Sequence, residues 1–268
     1  MQDALFQKKF GRRLNLTAPT TFNEKLHWLM HYYRTPEVTK LADKYEVRTH
    51  VITRVGSWLL NDLYGVWDDP VGLDAAWANL PTCFVLKVTS GSGQNLFCRD
   101  KSRFDFDAAK RQLLHWMRRS EYWLNREWSY KNIRPRIVCE RLLTDEAGRV
   151  PDDYKFFCFD GEPRFVQVST DRFGDFHRDF FDLEWNPAPF RFAGDVPRGD
   201  IHRPENLDAM VSVARALSRG FPFVRVDLYS TQGRVLFGEM TWYPNGGLKR
   251  VVPDDWDLKL GEMLRLPK

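Results

Sequence analysis

The feature that leaves the fewest folds open to this chain is a pair of strand–turn–strand segments in its C-terminal half. One runs from Asp153 to Asp160 and on through Pro163 to Ser169, with Asp160 and Gly161 at the joint. The other runs from Val224 to Ser230 and from Arg234 to Met240, across Thr231, Gln232 and Gly233. β-Branched and aromatic residues fill the arms, and glycine at each joint suits the turns that close tight hairpins. A further strand pattern covers Arg136 to Leu143. Hairpin arms pair antiparallel, so this half is expected to be an antiparallel sheet.

The N-terminal third reads as helical. Phe22, Leu26, Leu29 and Met30 recur at helical spacing after Thr21, and a second helix is expected over Pro36 to Val55. Beyond the turn-rich Asp68 to Pro70, a strand from Phe84 to Val88 runs into Gly91 and Gly93, and a second strand follows at Asn95 to Cys98. Ala109, Leu113, Trp116 and Met117 mark one helical face, with Asp105 and Asp107 near its start, where the helix dipole favours acids. Pro204 opens another helix, with Leu207, Met210, Val211, Ala214 and Leu217 on one face and Gly220 and Pro222 as its stop. No repeat or low-complexity linker divides the chain, so one compact unit of packed sub-domains is expected.

At 268 residues and 43% hydrophobic content the chain can bury a full core. No apolar run approaches the roughly 18 residues of a membrane span, and Met1 to Phe10 lacks the apolar centre of a secretory signal, so a cytoplasmic protein without a transmembrane segment is expected. A net charge of +4 is too small to argue for nucleic acid as partner, and suits an anionic substrate. Cys83, Cys98, Cys139 and Cys158 are widely spaced and read as buried thiols. Tyr122, Trp123, Arg126, Trp128, Tyr130 and Lys131 mix aromatic and basic side chains; such a set stacks bases or sugars, or is simply core beside a solvated face.

Three constellations carry possible chemistry. On the closing hairpin Arg225 and Asp227 share one strand face, as do Glu239 and Thr241 on its partner. If Ser230 pairs with Arg234, Arg225 opposes Glu239 and Asp227 lies diagonally from it, roughly 7 to 8 Å away between Cβ atoms. Two such carboxylates can hold a hard cation, and Mg²⁺ takes one or two carboxylates plus phosphate oxygens and water. A cross-strand salt bridge between Arg225 and Glu239 is the plain alternative. The apolar flanks Val224, Val226, Leu228 and Val235 to Phe237 suggest a buried hairpin, where an unpaired carboxylate is costly and a cation compensates.

The second constellation is Lys87 on a strand, followed by Thr89, Ser90, Gly91, Ser92 and Gly93, a loop whose small residues let backbone amides approach phosphate. It fits neither a P-loop nor a Rossmann fingerprint, and a plain turn is the competing reading. The third is Glu140 within an apolar strand, with Asp153 and Lys155 on one face of the next. His27 and His31 have zinc-ligand spacing, but no Glu follows His27 and no third ligand is evident.

In this order the pieces resemble the ATP-grasp superfamily, and more closely the TupA-like (teichuronopeptide-biosynthesis) ATP-grasp family. The likeness covers Phe10, Gly11, Asn15, Leu16, Thr21 to Lys25, Lys40, Leu41, Asp43 to Tyr45, Gly65 to Trp67, Lys87 to Asn95, Tyr130 to Arg136, Asp153 to Pro163 and Gly220 to Asp227. It implies an α+β ATP-grasp fold. A helical region (1–80) would precede two sub-domains that clasp ATP, one with the glycine lid (81–140) and one with the metal hairpin (141–268).

By that resemblance Lys87 contacts ATP phosphates, Ser90 to Gly93 form the lid, and the backbone of Glu140, Arg141 and Leu142 meets adenine. Asp153 reaches the ribose, with Lys155 as an alternative nucleotide contact. Arg225 stabilises the transferred phosphoryl or acyl group, and Asp227, Glu239 and Thr241 are the candidate Mg²⁺ ligands. Thr241 departs from the superfamily's Glu-x-Asn motif, and Asn245 is the residue that would compensate. The implied reaction is ATP-dependent ligation of a carboxylate and an amine through an acyl phosphate, attaching an amino acid to a uronic acid or surface-polysaccharide precursor, with peripheral association to polysaccharide assembly machinery. A kinase on the same fold, a glycosyltransferase and a non-catalytic binding module are the alternatives.

Overall fold

The computed structural model describes residues 2–145 and 147–267. In chain order its elements are α1 (Gln2–Phe10), α2 (Phe22–Tyr32), α3 (Pro36–Ala42), α4 (Val47–Arg54), β1 (Leu63–Trp67), α5 (Pro70–Ala76), β2 (Phe84–Val88), β3 (Asn95–Cys98), α6 (Phe106–Met117), α7 (Glu121–Asn125) and β4 (Ile137–Glu140). They continue with β5 (Asp153–Phe159), β6 (Glu162–Thr170), β7 (His177–Phe181), β8 (Arg191–Phe192), α8 (Leu207–Ser218), β9 (Phe223–Thr231), β10 (Arg234–Thr241), β11 (Val251–Val252) and α9 (Asp255–Met263).

Two antiparallel sheets organise most of these elements, and β8 and β11 pair as a separate two-stranded ribbon. The smaller sheet has the order β1-β4-β2-β3, and the larger β10-β9-β5-β6-β7. In β2 the alternation of the strand sends Phe84, Leu86 and Val88 into a core with Leu113 of α6, Ile137 and Cys139, and leaves Lys87 on the other face. The larger sheet carries its own core. Tyr154, Phe156 and Cys158 alternate with Lys155, Phe157 and Phe159, and α8 packs across β5, β6 and β9. Phe22 at the start of α2 meets Phe159 and Phe223, so the helical N-terminal layer is fastened to the aromatic end of the large sheet. Thr21 and Glu24 close a capping box at that end of α2.

Three expectations change. The helix expected over Pro36 to Val55 is two helices, because Asp43 takes an extended backbone and its Oδ1 accepts from the Tyr45 and Glu46 amides at 2.7 and 3.0 Å, starting a new turn. The segment expected to be helical also contains β1, which pairs with β4. Cys98, Cys139 and Cys158 are buried, whereas Cys83 is exposed, since it lies in the turn before β2 and outside the strand's core-facing pattern.

Candidate active site

The register of the larger sheet lines up one row of side chains. Glu239 on β10 faces Asp227 on β9, Asp227 faces Lys155 on β5, and Lys155 faces Gln167 on β6. Arg225 and Asp153 lie two residues from this row on their own strands and so share its face. The closing hairpin departs from the expected register twice. Thr231, not Ser230, pairs with Arg234, because the loop is two residues, Gln232 and Gly233, both with positive φ. Gly238 then forms a bulge that shifts the pairing, so Thr241 opposes Arg225 and Glu239 squarely opposes Asp227.

Asp227 is 3% exposed and gripped by cations. Its Oδ1 accepts from Arg225 Nε at 2.7 Å, and its Oδ2 accepts from Arg225 Nη2 at 2.6 Å and Lys155 Nζ at 3.0 Å. Such a two-pronged guanidinium contact fixes both side chains in one geometry. Arg225 Nη2 reaches Glu239 Oε1 at 3.3 Å and the Thr241 hydroxyl at 3.0 Å, and that hydroxyl donates to Glu239 Oε1 at 3.0 Å. Glu239 Oε2 has no hydrogen-bond partner among the described residues. Burial works to raise the Glu239 carboxyl, but the charges of Lys44, Arg225 and Lys155 and the Thr241 hydrogen bond outweigh it and hold the group at about 2. Asp153, on the same face, pairs with Arg172 and lies 3.4 Å from Lys155.

The smaller sheet brings the opposing wall. Val85 opposes Glu140 and Lys87 opposes Val138, so Lys87 and Glu140 are diagonal neighbours, with Nζ 2.7 Å from Oε2. Arg48 from α4 reaches the other Glu140 oxygen at 3.4 Å. The break between α3 and α4 turns Lys44 inward, where its ammonium donates to the Gly91 carbonyl and pins the glycine loop. Burial lowers the Lys44 ammonium; Glu239 opposes that and Lys87 adds to it.

These residues meet around one cavity of about 350 Å³ between the two sheets. Of the positions singled out from sequence, Lys87, Ser92, Gly93, Glu140, Asp153, Lys155, Arg225, Asp227 and Glu239 line it. Arg141 and Leu142 line a small adjoining cleft whose wall includes Leu60 and Asn61, which also border the main cavity. The Arg141 amide donates to the Asp62 carbonyl at 3.0 Å and its carbonyl accepts from the Asn61 amide at 2.8 Å. Ser90 and Gly91 are buried behind the lining; an added Cβ on Gly91 would come within 2.0 Å of the Gln94 side chain. Thr241 faces a neighbouring cavity.

Lys44, Arg48, Gln167, Arg172 and Arg178 also line the main cavity and were not singled out as site residues. Gln167, a polar residue inside the apolar strand Phe165 to Val168, carried the same signal as Glu140. Lys44 lies in the stretch Asp43 to Tyr45 that carries the family likeness, but its local pattern does not mark it as a site residue, because only the helix break directs it inward.

The profile of the family described as TupA-like ATPgrasp matches residues 24–265, which span both sheets and every residue of the cavity just described. The chain belongs to the TupA-like ATP-grasp family. No curated relative matches it. Among solved structures, the ADP complex of PurK, N5-carboxyaminoimidazole ribonucleotide synthetase, is similar at 12% identity with a TM-score of 0.50, over 82% of this chain and 50% of that one. The ATP-grasp ligase PsnB complexed with minimal precursor is similar at 14% identity with a TM-score of 0.43, over 78% of this chain and 54% of that one. The likeness to PurK is one of fold, and this ATP-grasp chain spans about half the length of those two proteins.

An ATP-grasp site of this kind calls for Mg²⁺, and the donors here fit one such ion. Asp227 and Glu239 are hard oxygen donors facing each other, and Glu239 Oε2 is free of protein partners among the described residues. No cluster of three or more His, Cys, Asp or Glu suited to a metal occurs among the described residues, so phosphate oxygens and water would complete the coordination. Among those residues no helix is long and apolar enough to cross a membrane.

Proposed function

We propose that this chain is an ATP-dependent ligase that activates a carboxylate as an acyl phosphate and joins it to an amine. One observation carries the reading: the facing pair Asp227 and Glu239, held under Arg225 and Lys155, looks across a single cavity at Lys87 and Lys44. Cations that converge in a recessed, poorly hydrated site bind a polyphosphate and favour the charge that grows during its transfer. The PurK fold neighbour is a synthetase bound to ADP.

In this reading residues 81–140 and 141–268 clasp ATP, with 1–80 packed on them and contributing Lys44 and Arg48. Lys87 and Lys44 bind phosphate oxygens, Ser92 and Gly93 cover them, and Asp153 and Lys155 orient the nucleotide. The substrate carboxylate attacks the γ-phosphorus, the bond to the bridging oxygen breaks, and ADP leaves with the electron pair. Arg225 neutralises charge on the transferred group. Mg²⁺, held by Asp227 and Glu239, supplies positive charge to the phosphate oxygens when bound. The neutral amine then forms the C–N bond as the bond from the acyl carbon to the phosphate oxygen breaks, phosphate leaves with the electron pair, and the nitrogen loses a proton to phosphate or water.

The family likeness and the basic cavity favour a uronic acid or surface-polysaccharide precursor as the carboxylate and an amino acid as the amine. The test is ADP release from Mg·ATP across uronic acids paired with amino acids, with hydroxylamine substituted for the amine in a parallel set. A ligase yields a hydroxamate with hydroxylamine. A stable phosphorylated product without hydroxamate would replace this reading with a kinase, and no ATP-dependent ADP release with any pair would remove it.

A further inference from the structure

The main cavity does not end at Glu239. Ser92, Arg225, Glu239 and Asn245 border it on one side and a second cavity of about 340 Å³ on the other. The far walls of this second cavity come from Asn125, Glu127, Tyr130, Thr241 and Tyr243. A volume of that size is at the small end of small-molecule pockets.

The charge balance of these walls is unusual. Glu127 has no ion-pair or hydrogen-bond partner for its carboxylate among the described residues, although basic side chains surround its segment. Each of those is held elsewhere. Arg126, in the left-handed conformation at φ 60°, stacks on Trp123 with its guanidinium carbon 4.8 Å from the ring centre. Lys131 and Arg34 both sit 4.7 Å from the Trp128 ring. Arg225, the cation shared with the main cavity, is bound through two nitrogens to Asp227. Glu127 Oε1 instead lies near Gly246 in the turn that borders the cavity, 3.7 Å from where a Cβ would stand.

Independently, Tyr243 is 3% exposed, lines the same cavity, and has a buried hydroxyl without a hydrogen-bond partner. The buried hydroxyl is costly to leave without a partner, and the half-buried carboxylate in the same cavity has no cation beside it, so one ligand with an ammonium group serves both. Burial pushes the Glu127 carboxyl up to about 8, with Glu121 and Glu239 adding to the rise and Arg225 opposing it, which is the condition of an acid lacking a cation.

We propose that this second cavity binds the primary ammonium group of a small substrate, with Glu127 as the carboxylate that receives it and the Tyr243 hydroxyl beside it. Its identification as the amine to be joined rests on the ligase reading above. The shared wall at Arg225 and Glu239 puts the ammonium next to the place where the activated carboxyl would form. The tyrosine, tryptophan and basic residues from Tyr122 to Lys131 thereby acquire a role: their stacking removes competing cations from Glu127.

The test uses the full chain with glycinamide as the ammonium probe and glycolamide, its neutral hydroxyl counterpart, each titrated by calorimetry or saturation-transfer NMR. Binding of Mg·ADP is measured on the same preparations. Wild type is expected to bind glycinamide at least about tenfold more tightly than glycolamide, the factor a charged hydrogen bond supplies. Glu127→Gln is expected to abolish that preference, and Tyr243→Phe to weaken glycinamide by a smaller factor, with Mg·ADP binding unchanged. No preference in wild type, or a preference that survives Glu127→Gln, overturns the assignment. If Glu127→Gln does not fold, Glu127→Asp takes its place: weaker glycinamide binding supports the site, and unaltered binding overturns it. Loss of Mg·ADP binding in wild type with the glycinamide preference intact would sink the ligase reading and leave the ammonium site standing.

Discussion

Glu239 stands directly opposite Asp227 because Gly238 is an extra residue in β10. A Cβ at Gly238 would lie 3.0 Å from the Asp227 carbonyl oxygen and 3.2 Å from the Tyr229 ring, so a methyl there presses on the facing strand. Gly238→Ala is expected to cost roughly 1 to 3 kcal/mol, as for overpacking, and to displace Glu239. Denaturant unfolding measures the first and ADP release the second. Full ADP release in a destabilised variant would mean that the bulge does not set the carboxylate pair.

The two carboxylates should separate in their effect on stability. Asp227 is buried and holds two cations, so Asp227→Ala leaves Arg225 only its longer contact to Glu239 and Lys155 only its longer contact to Asp153, and is expected to cost about 3 kcal/mol. The Glu239 side chain is 40% exposed, and Glu239→Gln is expected to change stability by about 1 kcal/mol or less. Both variants, and the near-isosteric Asp227→Asn, are expected to lower Mg·ATP-dependent ADP release by about 100-fold or more. Retained turnover in Glu239→Gln would remove that residue from metal binding.

Lys44 ties the α3–α4 break to the glycine loop through the Gly91 carbonyl. Lys44→Met keeps the unbranched apolar stem, one atom shorter, and deletes the bond and the charge. Hydrogen exchange at residues 89–94 is expected to accelerate, and ATP affinity to fall about tenfold, the value of one charged hydrogen bond. Unchanged exchange in that loop would show that Lys44 does not restrain it.

His27 should make the protein acid-sensitive well above the usual carboxylate range. It is 1% exposed; burial lowers its imidazole to about 4, against the pull of a hydrogen bond with the Gly247 carbonyl and with a further push from His31. The folded state keeps it neutral while the unfolded chain takes up a proton near its ordinary value of 6.5, so stability falls as pH drops from about 6.5 to about 4. The full effect is about 3 kcal/mol. Urea midpoints across that range should slope downward in wild type and flatten in His27→Gln; the same slope in both would assign the acid sensitivity to other groups.

Local chemistry made much of this fold legible. Alternation in Phe84 to Val88 and in Asp153 to Phe159 announces strands whichever partner they find, because side chains on a strand switch faces at every residue. Glycine at 161 and 233 announces turns for an equally local reason. The charged residues Glu140, Lys155 and Asp227 stand out because ionised groups inside apolar strands need partners. The resemblance of the whole string to the TupA-like family then ordered them.

Tertiary structure alone decided the rest. Whether Glu239 faces Asp227 or Arg225 depends on a two-residue loop and one bulge, each of which moves the register by one position without altering the hydrophobic pattern. Lys44 and Arg48 reach the cavity only because the helical layer packs against it. The unpaired state of Glu127 depends on Arg126, Lys131 and Arg34 choosing aromatic rings over a nearby carboxylate. Composition sets which charges a chain owns; pairing is a property of distances, and those exist only once the chain has folded.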